Sequence, residues 1–199
     1  MKLRPLGIEG AVEITPQQFG DARGSFMEWY KHDLFVEEVG HPLPLMQANI
    51  STSALGVVRG IHFADVPPGQ AKYVTCVRGA VVDVVVDIRL GSPTFGQWEA
   101  VQLDDVERRS VYLAEGLGHG FCALTNEATI VYMCSAPYRP ESEHTINPLD
   151  PALGILWPSG EPILSARDAA APSLAEAAGS GLLPVYADCR DYISGLNLA

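Results

Sequence analysis

Four side chains able to move or hold a proton stand out in a sequence that otherwise reads as an apolar β protein. His62 lies in Gly56-Val57-Val58-Arg59-Gly60-Ile61-His62-Phe63, and Lys72 follows ten residues on. His119 sits in Gly118-His119-Gly120-Phe121, and Tyr132 opens Tyr132-Met133-Cys134-Ser135. A histidine alone on an apolar strand is more often structural. Here it comes with Arg59, Lys72 and His119, the kind of local cation set that an anionic ligand needs. On a regular strand Arg59 and His62 point to opposite faces. Both can serve one site only if the chain bulges, and the bulge is expected at Gly60.

Other polar residues admit two readings each. Tyr132 either packs or donates a proton from its phenol. Asp168, in Ser165-Ala166-Arg167-Asp168, is either an ordinary loop aspartate or the acceptor of the second ring N–H of His62. The latter would fix the tautomer and strengthen the imidazole as a base. Alternation puts Gln47, Asn49 and Ser51 on one strand face, which is either solvated or the polar lining of a barrel mouth. Asp83 and Asp87 share a face with Val81 and Val85 and read as satisfied or exposed aspartates.

The elements that must position these residues follow a period of two. Residues 81–88 are β-branched and bounded by Gly79 and Gly91, which predicts a strand. Residues 72–78 are expected to be its partner, with Arg78-Gly79 in the turn. Further strands are expected over 47–51, 57–63, 98–103, 110–113, 120–124 and 128–133. Short strands at this spacing suggest a sandwich or barrel. Helical pattern is confined to 31–39, ending at Gly40, to 173–179 behind a capping Ser173, and to 185–193. The Pro- and Ala-rich stretch 158–172 reads as a surface loop.

Small barrels of the cupin type bind metal through a His-x-His pair, a nearby Glu and a later His. Here the second His position is Ala64, and no Glu follows until Glu99. Two imidazoles without a carboxylate make a poor Zn or Fe site, so no metal is expected.

The 199 residues are expected to form one domain over 1–199. With 47% hydrophobic and 19% charged residues the composition is globular. Thirteen basic against 24 acidic residues give a net charge of −11, which argues against a nucleic-acid or anionic-membrane partner. No export signal and no apolar run of about 20 residues is visible. Cys76, Cys122, Cys134 and Cys189 are scattered without a CxxC pair, so they read as reduced thiols of a cytoplasmic protein. Cys76 and Cys134 are expected in the core.

Taken together, these segments resemble the dTDP-4-dehydrorhamnose 3,5-epimerase family. The resemblance is carried by Gly20-Asp21-Ala22-Arg23-Gly24-Ser25-Phe26-Met27-Glu28, Gln47 to Ser51, Val58-Arg59-Gly60-Ile61-His62-Phe63 and Gly69-Gln70-Ala71-Lys72-Tyr73. It continues through Gly91-Ser92-Pro93-Thr94-Phe95-Gly96, Gly118-His119-Gly120-Phe121, Tyr132, Tyr138, Asp150-Pro151 and Trp157-Pro158. It implies an all-β, cupin-type jelly roll with short helices at the N-terminal side and C-terminus, forming a homodimer with exchanged strands. It implies His62 as general base with Asp168 behind it, Tyr132 as general acid, and Lys72 as the enolate stabiliser, with no cofactor. Arg23, Glu28, Gln47, Asn49, Arg59, His119, Tyr138, Glu143 and Arg167 match its substrate-contacting positions, and Arg23 and Glu28 are expected to reach the partner's site. The implied substrate is a dTDP-linked 4-keto-6-deoxy sugar. The implied reaction inverts C3 and C5, in rhamnose or deoxysugar biosynthesis; relatives in antibiotic-sugar pathways invert C3 alone.

Overall fold

The computed structural model describes residues 1–196. The chain begins with β1 (Lys2–Pro5), β2 (Ala11–Thr15), the hairpin β3 (Gln18–Asp21) and β4 (Gly24–Met27), and α1 (His32–Val39). Then come β5 (Gln47–Ser53), β6 (Val58–Ala64), β7 (Lys72–Arg78), β8 (Ala80–Val86), β9 (Trp98–Asp104), β10 (Ser110–Leu113), β11 (Gly118–Ala123), β12 (Ala128–Cys134) and β13 (Glu143–Thr145). Helices α2 (Ala166–Ala169), α3 (Leu174–Gly179) and α4 (Tyr186–Leu196) close the described chain. No helix among the described residues is long and apolar enough to cross a membrane.

Two antiparallel sheets form the jelly roll, in the orders β1-β2-β10-β7-β12-β5 and β13-β6-β11-β8-β9. Their facing sides share one apolar core: Val74, Cys76 and Ile130 from the first, Val81, Val85, Val101 and Phe121 from the second. The run 81–88 is buried along nearly its whole length, Asp83 and Asp87 included, because both sides of β8 are covered. Val84, Val86 and Ile88 pack outward against Ile61, Phe63 and Leu174 of the C-terminal layer. On the other flank, Phe35 of α1 covers Tyr73 and Tyr112. Each such apolar side chain contributes about 1.5–3 kcal/mol by leaving water.

The helix ends follow their local chemistry. Gly40 ends α1 in the left-handed region at φ 93°. Ser173 and Glu176 form a reciprocal capping box on α3. Two expectations need correction. Arg78-Gly79 does turn the chain, but β7 and β8 are not partners: β7 pairs with β10 and β12, β8 with β11 and β9. The amides that would begin a hairpin go elsewhere, Gly79 N–H to Asp105 and Ala80 N–H to Thr125 Oγ1. The stretch 158–172 is not all loop. Ser165 caps a single helical turn by accepting from Asp168 N–H, and this turn is α2.

The bulge expected in β6 is present. His119 pairs with His62 and Phe121 with Arg59, so three steps on β6 match two on β11. At Gly60, φ is 134°, and a Cβ there would lie 2.6 Å from Gly120 Cα and 2.8 Å from His119 O. Neither the conformation nor the space admits a side chain. Gly60→Ala should therefore destabilise the fold by about 1–3 kcal/mol, lowering Tm by several degrees in a thermal melt. An unchanged Tm would mean that the strand approach is not this tight.

Candidate active site

The bulge turns Arg59 and His62 onto one face, and both line a cavity of about 180 Å³ between the sheets, together with Ser51, Lys72, His119, Phe121, Ile130 and Tyr132. An outer cavity of about 370 Å³ is lined by Gln47, Asn49, His62, Gln70, Lys72, Tyr132, Tyr138, Glu143 and Arg167. His62, Lys72 and Tyr132 belong to both.

Register explains the far wall. Cys134 pairs with Lys72 and Gln47, Tyr132 with Val74 and Asn49, and Ile130 with Cys76 and Ser51. Since alternate residues share a face, one inward face runs from apolar Val74, Cys76 and Ile130 to polar Lys72, Tyr132, Asn49 and Gln47. The polar set of β5 is the lining of the barrel mouth. Its other face, carrying Ile50, is the exposed one.

His62 Nε2 lies 2.8 Å from Asp168 Oδ1. Asp168 is buried, and the imidazole is about one-third exposed. Burial pushes the His62 pKa below its ordinary 6.5, Asp168 opposes this, and Lys72 and His119 add to it. Burial alone would raise Asp168, but His62, Ser165 and the Gly60 amide hold it below the usual carboxylate range. The imidazole thus stays unprotonated near neutrality, with the Nε2–H directed at Asp168. Lys72 is buried, which lowers its pKa; Cys134, Glu143 and Asp83 push back. Burial raises Tyr132, with Cys134 and Glu143 adding, so its phenol keeps its proton. His62 on β6 and Tyr132 on β12 belong to opposite sheets. A ring between them would meet a proton acceptor on one side and a donor on the other.

Positioning bonds surround this pair. Ser53 Oγ accepts from Arg59 Nε at 3.1 Å. Gln47 Oε1 accepts from Tyr138 N–H at 2.8 Å. Arg167 donates to Glu143 O at 2.9 Å. Gln70, not singled out from sequence, donates to Ala136 O and to Glu143 Oε1. Its place two residues before Lys72, just outside β7, was the only available signal. The expected aspartates prove buried: Asp83 meets His119, and Asp87 holds Arg89.

Two expected ligand contacts lie outside the cavities. Arg23 is exposed on the β3–β4 ribbon, held by Asp21, and Glu28 faces Lys31 at 3.4 Å. That ribbon is a two-stranded sheet of its own, so within one chain it does not bring them to His62. Among the described residues, no three His, Cys, Asp or Glu side chains are placed to hold a metal ion.

The two opposing influences on His62 are separable. NMR titration of its ring should give a midpoint below 6.5. Asp168→Asn should lower it further, because the carboxylate is what favours the imidazolium. A midpoint that rises in the variant would reverse this account.

The family described as dTDP-4-dehydrorhamnose 3,5-epimerase matches residues 5–176. A dTDP-4-dehydrorhamnose 3-epimerase of Streptomyces niveus is 64% identical over 190 residues, covering 96% of this chain and 92% of its own. A dTDP-4-dehydrorhamnose 3,5-epimerase of Mycolicibacterium smegmatis is 60% identical over 197 residues, covering 98% and 97%. The structure of the Mycobacterium tuberculosis rmlC epimerase superposes with a TM-score of 0.97 at 52% identity, covering 98% of this chain and 100% of that one. With its bulged His62 strand, its facing tyrosine and these relatives, the chain belongs to the dTDP-4-dehydrorhamnose 3,5-epimerase family.

Proposed function

We propose that this protein epimerises dTDP-4-dehydro-6-deoxy-D-glucose at C3 and C5 to dTDP-4-dehydro-L-rhamnose, without a cofactor. The observation that carries the reading is the placement of His62 and Tyr132 on opposite sheets with Lys72 beside both. The C4 ketone acidifies the hydrogens on C3 and C5. His62 removes one of them, the C–H electrons move onto the C4 oxygen, and Lys72 stabilises the enolate charge. Tyr132 then returns a proton from the other side, which inverts the carbon. Asp168 keeps the His62 ring oriented and stabilises the imidazolium formed in the step.

Substrate binding falls to Arg59, His119 and Arg167 as charged or charge-capable donors and to Gln47, Asn49, Tyr138 and Glu143 around the mouth. The arginines suit the diphosphate, where charge-assisted hydrogen bonds are strong. We assign Arg23 and Glu28 to the site of a second copy in a homodimer with exchanged strands. Phe19 and Phe26 support this, because they stand more than half exposed on the same ribbon. Four free cysteines suit a reducing, cytoplasmic setting.

A second reading, inversion at C3 alone in an antibiotic-sugar pathway, is favoured by the 64% identity to a relative described as a 3-epimerase. Turnover in D₂O decides between them. A base and an acid on opposite sides introduce solvent deuterium at each carbon they invert. Exchange at C3 and, more slowly, at C5, with L-configured product, is expected. Deuterium confined to C3 at long times would establish the C3 reaction instead. No exchange with tight nucleotide-sugar binding would leave only a binding protein.

His62→Asn should lower kcat by about 10²–10⁴ while the protein folds normally, since general-base catalysis contributes about that much. Near-normal turnover would remove His62 from the role of base.

A further inference from the structure

A second His–Asp pair borders the inner cavity. On β11 and β8, His119 is opposite Val85, and Asp83 is opposite Phe121. The side chains meet on the diagonal, with His119 Nε2 2.8 Å from Asp83 Oδ2. Asp83 is 1% exposed, and its other oxygen, Oδ1, is buried without a partner. A carboxylate in an apolar strand is costly unless a charge faces it. Satisfying His119 explains only one of its two oxygens.

Lys72 shares the inner cavity with His119. It is 8% exposed, and no hydrogen bond or ion pair among the described residues holds its ammonium. Several titratable or charged groups surround it across the cavity. They are Cys134 and Tyr132 on β12, Glu143 on β13, His62 and Arg59 on β6, His119 on β11 and Asp83 on β8. Of the acids, Glu143 is on the outer cavity and also accepts from Gln70, and Cys134 is a thiol raised by burial. Asp83 is the buried carboxylate on the inner side. Burial lowers the Lys72 pKa, and Asp83 is among the groups that oppose it.

We infer that Asp83 is a positioning residue of this site: it orients the His119 ring through Nε2–H, leaving Nδ1 for the ligand, and its buried carboxylate is a counter-charge on the inner side of the cavity that Lys72 lines. The inference rests on the epimerase reading for its consequence and on geometry for its substance. Lys72 stabilises an enolate as an ammonium, and loss of the Asp83 charge removes one of the groups that favour that form, so it acts on chemistry without any contact to substrate.

The chain has only three lysines, Lys2, Lys31 and Lys72, so carbon-13 labelled lysine gives a readable NMR titration of Lys72 in the intact protein. Asp83→Asn, which keeps the shape, should lower the Lys72 midpoint, because an opposite charge that favours the ammonium is removed. The sign follows from the opposition: without Asp83, burial acts less opposed and the ammonium is lost at lower pH. In the epimerase assay the alkaline limb of kcat/KM should move to lower pH with it. Nitrogen-15 histidine spectra of the wild type should place the His119 proton on Nε2. An unmoved Lys72 midpoint, a pH-independent loss of turnover, or a wild-type proton on Nδ1 only would each overturn the inference. Should Asp83→Asn fail to fold, the wild-type histidine spectrum still tests the orientation, and Asp83→Glu, which keeps the charge, should leave the Lys72 midpoint near its wild-type value. A wild type that turns over no 4-keto sugar would sink the epimerase reading, and the two NMR measurements would still test Asp83.

Discussion

The close approach of two backbones at Gly60 and Gly120 is the constraint on which the site depends. A Cβ at Gly120 would lie 2.9 Å from Arg59 O, and one at Gly60 still closer to Gly120 Cα. Only this contact lets β6 carry one residue more than β11 while remaining paired on both sides of the bulge. Without the extra residue, either Arg59 or His62 would face outward, toward the C-terminal layer that holds Ile61 and Phe63. With it, a guanidinium and an imidazole point into one cavity between sheets whose remaining contacts are apolar.

Placing several ionisable groups in that cavity requires compensation. A buried charge without a partner is far costlier than any apolar contact is favourable. Each imidazole therefore has its own carboxylate: Asp168 for His62 and Asp83 for His119. The carboxylates are the more buried members of both pairs, which leaves the imidazoles on the cavity side. Among the described residues Lys72 has no such direct partner. Its charge is balanced through space, and its ammonium remains available to whatever anion forms opposite.

Much of this was legible in sequence, and the losses have physical causes. β-branched runs such as 81–88, and helix ends with Gly40 or Ser173, encode their structure locally. Sheet partners are not local: 72–78 and 80–86 adjoin in sequence, yet side-chain acceptors on Asp105 and Thr125 divert the turn amides and send the strands to different sheets. The edge strand β1 and its neighbour β2 lack a strong alternation, because β1 is mostly exposed with Leu3 against the core, while Ala11 and Val12 of β2 are both buried. The helical turn that presents Asp168 is too short to show a period, and its cap at Ser165 is the only local signal. His62, Lys72 and Tyr132 were visible as polar residues in apolar strands. Gln70 was not, since a glutamine beside a loop is unremarkable until Glu143 is brought to it. Arg23 and Glu28 were legible only through family resemblance, and one chain alone does not bring them to the cavity.

The overall charge opposes an anionic ligand, but distance resolves the conflict. At physiological ionic strength, exposed charges are largely screened beyond about 8 Å. A net charge of −11 spread over the surface therefore exerts little force inside the cavity. Within it, Lys72 and Arg59 line the inner cavity, shielded from salt, and Arg167 stands at the mouth. The unfavourable surface potential acts mainly on approach, so added salt should matter more to association than to chemistry. The local cation set, rather than the overall balance, determines what this acidic protein can bind.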